Sequence, residues 1–169
     1  MHSKELIQFA LNGSDKAVMS VIDEMSTDPT VFPTPNGGCH PLWVLGHLTF
    51  VEGMIPEVLF GKQNPAAEWR QYFAQDSDPV AEAGAYPPFA DIRQKYRILR
   101  EQNLKILEGL SEEDLDKPTA APPKGREHEF ATYARSFVAL ALHQMMHRSH
   151  VTDARRAAKG ALAATAGSN

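Results

Sequence analysis

The stretch FADIRQKYRILREQNLKILEGL, residues 89–110, decides the fold class. Its apolar residues Phe89, Ile92, Tyr96, Leu99, Ile106 and Leu110 recur in steps of three and four, with Asn103 in the one gap. That spacing is the seam of a helix packed in a left-handed bundle. A second seam runs through Phe130, Tyr133, Phe137, Leu140, Gln144, His147, Val151 and Ala154. Strand-like alternation is absent, and the valines and isoleucines fall inside helical patterns. The chain therefore reads as all-α.

Prolines set the boundaries, because one inside a helix removes a hydrogen bond and costs ~3 kcal/mol. Three proline-free stretches are long (1–28, 89–117 and 124–169), and a fourth, 42–55, is shorter. The first helix carries Asn12-Gly13-Ser14, which predicts either a kink or a restart with Ser14 as N-cap. The second is predicted to begin at His40-Pro41, to be apolar nearly all round, and to have room to continue past Pro56 with a kink. The third should start after Pro87-Pro88 and end near Gly109-Leu110. The fourth should start near Glu127 and fade by Gly160, leaving 161–169 as a frayed tail. This gives one four-helix bundle over 1–160, with a long crossover, 61–88, between helices two and three. Trp69, Tyr72 and Phe73 predict a short helix in that crossover. The crossover and the 28–40 loop are the expected walls of any pocket.

Composition excludes several functions. The chain has 169 residues, 43% hydrophobic and 22% charged, with a net charge of -4. One domain with a proper core fits that length. Mild acidity argues against a nucleic-acid surface. No apolar run approaches the ~20 residues of a membrane span, and the N-terminus lacks a signal-peptide pattern. The expected compartment is the cytoplasm. Cys39 is the single cysteine. An internal disulfide or a paired-cysteine metal site is impossible, so a metal would need His or carboxylate ligands.

Seven histidines are present, and four stand in or beside the most apolar helical segments. His143 and His147, in HQMMH, are one helical turn apart and can reach one ion. His150 lies ~10 Å along the axis from His143, too far to join both. A zincin needs glutamate after the first histidine as general base, and here that place holds Gln144. A ferritin-like site needs Glu three residues before His, which occurs nowhere in the chain. His47, in WVLGHLTF on the second helix, is the remaining candidate ligand. Three imidazoles would leave coordination positions open, as catalytic sites require. The bland alternatives are a hydrogen-bonded core histidine at 47 and chance spacing at 143 and 147. His2, His40 and His128 read as terminal, helix-starting and surface residues.

The segments HPLWVLGHLTFVEGMIPEVLFG and HQMMHRSHVTDARR resemble the DinB superfamily over roughly 14–158. The resemblance implies an up-down-down-up four-helix bundle and a metal triad at His47, His143 and His147. The family often continues its second pair as His-Arg-Gly-Gln, whereas this chain reads His147-Arg148-Ser149-His150. Characterised relatives activate a low-molecular-weight thiol or water. They include thiol S-transferases, a mycothiol-dependent maleylpyruvate isomerase and the metal-binding domain of ergothioneine sulfoxide synthases. By that resemblance the chain is expected to bind Zn, Ni or Fe and to attack a small electrophile, as an S-transferase or hydrolase. Arg148 and His150 are the catalytic candidates. Arg148 reads either as a holder of an anionic group or as a member of a surface or interhelical ion pair. His150 reads either as a donor to the substrate or as a neighbour that alters the surroundings of the ligands. A small-molecule substrate, no nucleic acid, no membrane and a homodimer are the expected partners. The alternative is a non-catalytic metal-binding or interaction bundle. Asp153 is left between pairing with Arg156 and supporting a histidine, and Cys39 reads as a small buried residue.

Overall fold

A computed structural model describes residues 2–166, with side chains to 161. Its helices are α1 (Ser3–Glu24), α2 (Pro41–Phe60), α3 (Arg70–Phe73), α4 (Phe89–Gly109) and α5 (Tyr133–Ala166). No strand occurs among the described residues, only the isolated bridges Thr34–Gly37 and Pro118–Thr132. α1, α4 and α5 lie within the three long proline-free stretches, while α2 starts on Pro41 and carries Pro56 inside it. α1 packs mainly along α5 and α2 along α4, while α2 also meets α5.

Local chemistry explains the helix ends. α2 starts at Pro41 with His40 as its N-cap, the imidazole accepting the Trp43 N–H at 3.1 Å. It runs through Pro56 and stops at Gly61, whose φ of 67° is the left-handed conformation glycine tolerates. α5 begins at Tyr133 rather than near Glu127, because Thr132 caps it: the Thr132 hydroxyl accepts the Arg135 N–H at 3.3 Å. Nor does α5 fade by Gly160. It continues to Ala166, since Ala161, Ala163, Ala164 and Ala166 favour the helix more than one glycine opposes it. The part of the expected frayed tail at 167–169 lies outside the described residues.

α1 runs as one helix through Asn12-Gly13-Ser14 and does not restart at Ser14. Ser14 is buried, and its hydroxyl donates to Gln144 Oε1 at 2.6 Å, so tertiary contact uses the group that local preference would spend on a cap. α2 corrects the expectation about apolar runs. Pro41–Phe60 is long and apolar enough to cross a membrane, but 78% of its most apolar window is buried in the bundle.

Two apolar clusters follow one another along the helices. One gathers Val18, Ile22, Leu45, Phe73, Tyr96 and Val151. The other gathers Leu11, Ile55, Leu59, Leu107, Phe137 and Leu140. A buried polar layer of Ser14, Glu52, Arg100, Asn103 and Gln144 falls between them in all four long helices.

The crossover is fastened to α2 at two glycines. A Cβ on Gly53 would lie 2.1 Å from Asn64 Oδ1, and one on Gly46 would lie 2.2 Å from the Phe73 ring. Asn64 uses this closeness to donate to the Phe50 carbonyl at 3.2 Å and accept the Ala66 N–H at 2.7 Å. Phe73 comes from the short helix predicted around Trp69, Tyr72 and Phe73 and stacks on Tyr86 with ring centroids 5.4 Å apart.

Candidate metal centre

His47 on α2 faces His143 and His147 on α5. Their Nε2 atoms converge, with 3.2 Å between His47 and His143 and 3.0 Å between His143 and His147. One ligand atom from each of the three lies within 4.8 Å of the others. Nitrogens bound to one ion through ~2.1 Å bonds stand ~3.0–3.4 Å apart, so the spacing suits a shared ion.

Hydrogen bonding supports the same fit. The His47 Nδ1–H donates to the Phe73 carbonyl at 2.7 Å, which leaves the His47 Nε2 lone pair turned inward. A single proton on His143 Nε2 cannot serve both neighbouring nitrogens, whereas one cation can. Trp43 lies flat on His47, centroids 4.7 Å apart and planes 8° apart, and its indole N–H donates to Ser77 of the crossover. The crossover thus holds both the ring and its stacking partner.

All three imidazoles are held neutral. Burial lowers the His47 pKa. Burial, then the charges of His47 and Arg126, push His143 down to about 3. Burial and the neighbouring histidines push His147 down to about 2. Neutral imidazole is the form that binds a metal.

A cavity of about 640 Å³ reaches the triad at His47 and His143. Its walls come from α2, α5, the crossover at 70–76 and the α4–α5 connection at 123–130. The crossover wall was expected. The 28–40 loop is not a wall: His40 at its end is fully buried as the α2 cap and donates to the Val80 carbonyl at 2.8 Å.

The model of the DinB superfamily matches residues 10–151. The chain belongs to the DinB superfamily. No curated protein matches it. In this DinB chain the structure brings together the three histidines singled out in the sequence and separates the two catalytic candidates from the cavity. Arg148 is exposed, and its Nε–H donates to the Ala17 carbonyl of α1 at 3.2 Å, away from the cavity lining. His150 meets His147 edge-on at 5.3 Å and also stands outside the lining. Asp153 pairs with Arg156 at 2.9 Å. Half-buried Cys39 packs beside the first apolar cluster, and burial raises its thiol pKa.

Two groups in this DinB chain escaped the sequence reading. The first is the buried network. Glu52 accepts from Arg100 at 2.9 Å and from Asn103 at 2.7 Å, and Gln144 donates to Tyr96 at 2.8 Å. Burial raises the Glu52 pKa, and the Arg100 guanidinium acts against that shift. The available signal was Glu52 in an otherwise apolar helix, since a charge there must be buried and paired. The second group is Arg70 and Arg126 at the cavity mouth, which lie in loop and crossover segments with no periodicity to reveal where they point.

Proposed function

We propose that this DinB-superfamily protein is a cytoplasmic, divalent-metal-dependent enzyme that activates a small thiol or water for attack on a small electrophile, as an S-transferase or hydrolase. The observation that carries the reading is the convergence of three Nε2 atoms where a cavity opens. Zn, Ni or Fe held by His47, His143 and His147 would supply an undiminished positive charge that makes a thiol or water a nucleophile near neutral pH.

The chain's own residues do the rest. Phe73 fixes the His47 tautomer through its carbonyl. Burial keeps His143 and His147 unprotonated at pH 7. Phe50, Met54 and Ile55 line the approach from α2 and keep it apolar. We read the helix order as up-down-down-up, because the 61–88 connection is long enough to return the chain to the end of the bundle where α2 began. A homodimer would have exposed Leu142, Met145 and Met146 of α5 available for contact.

Elemental analysis of tag-free protein tests the metal, with about one Zn, Ni or Fe per chain expected. Metal content unchanged in a His47→Ala/His143→Ala double variant refutes the triad. Turnover of an electrophile panel with cysteine, glutathione, mycothiol or bacillithiol, lost on chelation, tests the enzyme. No turnover with any thiol or with water, combined with a large loss of melting temperature on chelation, shows a structural metal instead.

A further inference from the structure

The cavity beside the triad has an apolar floor and a basic mouth. Met54 and Ile55 of α2 and Phe130 and Leu140 on the α5 side form part of the floor. Arg70 lines the cavity from the crossover wall, and Lys124 and Arg126 line it from the opposite connection. Arg70 and Lys124 are exposed and Arg126 is half-buried, which puts the basic groups on the solvent side. Asp76 is the single carboxylate among the lining residues. Among the described residues, neither Arg70 nor Lys124 forms an ion pair, with Asp76 or with any other acid. Arg126 pairs with Glu129 and lies 5.0 Å from the centre of the Phe130 ring, which holds its guanidinium in place. Like charges lining one cavity repel, and an anion between them relieves that repulsion. Arginine also offers the planar donor fork that fits a carboxylate.

We propose that this cavity takes an organic anion with an apolar body, its charged group among Arg70, Lys124 and Arg126 and its body on the Met54–Ile55–Phe130 floor. The molecule is the electrophilic acceptor rather than the thiol, because the floor suits an apolar body and a peptide-like thiol is hydrophilic throughout. The role as acceptor rests on the metal-enzyme reading, while the binding does not.

Calorimetric titration of metal-free protein with 1-naphthoate and its uncharged analogue 1-naphthamide separates the two. Naphthoate is expected to bind at least about tenfold more tightly, with the advantage shrinking as salt is added. An Arg70→Gln/Arg126→Gln double variant should lose roughly tenfold for naphthoate. Its unchanged binding of naphthamide would show that the cavity is still folded. Equal binding of the two ligands by the wild-type protein, or an unchanged naphthoate affinity in the double variant, overturns the proposal. Glutathione should leave naphthoate binding unaffected, and displacement by glutathione overturns the assignment to an apolar acceptor. Because these titrations need no metal, an empty triad on elemental analysis would defeat the proposed reaction and leave the anion site standing. A loaded triad without anion preference would do the reverse.

Discussion

Gln144 Nε2 donates to Glu52 Oε1 at 3.0 Å, which ties α5 to α2 one residue from the ligand candidate His143. The same Glu52 oxygen accepts from Arg100, so one fully buried carboxylate joins three helices. A one-residue slip of α5 would shift it ~1.5 Å and turn it ~100°. Either motion would take His143 and His147 away from His47, so this pair sets the register on which the triad depends.

Removing the carboxylate leaves the Arg100 guanidinium buried and uncompensated. Glu52→Ala is expected to lower the unfolding free energy by about 3–5 kcal/mol, measured by urea denaturation. Glu52→Gln keeps the shape and should cost less. A loss under about 1 kcal/mol for the alanine variant would mean that Arg100 finds other partners.

Gly46→Ala places a methyl 2.2 Å from the Phe73 ring, so the ring must move and take with it the carbonyl that orients His47. Metal affinity should fall about 10–100-fold, read by competition with a chromophoric chelator. Gly53→Ala disturbs Asn64 instead and should destabilise the fold with a smaller effect on metal binding. Equal metal losses in the two variants would count against a specific role for Phe73.

Acid should unfold the metal-free protein. His143 and His147 are held at about 3 and about 2, against 6.5 for an ordinary histidine. Below 6.5 the unfolded chain takes up protons that the folded chain refuses, so the unfolded state gains. Their contribution is fully present above that value and is lost progressively as pH falls towards 3. The melting temperature in chelator should therefore drop between pH ~6.5 and ~5, before carboxylates titrate. A His143→Gln/His147→Gln variant should show a shallower drop, and an identical slope would refute the assignment.

Arg148→Ala should cost under about 1 kcal/mol and leave metal affinity unchanged, since the side chain is exposed and, among the described residues, bonds only the Ala17 carbonyl. A tenfold weaker metal affinity in this variant would return Arg148 to the site.

Periodicity determined α4 and the body of α5, because apolar seams at three-four spacing and proline-free stretches are local properties of the chain. The triad was also legible at the level of candidates. The i,i+4 spacing of His143 and His147 places both on one helix face, and His47 stands among apolar neighbours that demand a partner for it. Tertiary structure alone decided which polar groups share a buried layer. Glu52, Arg100 and Gln144 lie on different helices, and their meeting depends on rotations and offsets that no local pattern encodes. It also decided the cavity walls, because the crossover and the 123–130 connection are non-repeating backbone positioned by long-range contacts such as Phe73 on Gly46. Arg148 shows the limit of adjacency in sequence. Residues next to one another on a helix point ~100° apart, so a neighbour of His147 in the chain faces α1 rather than the metal centre.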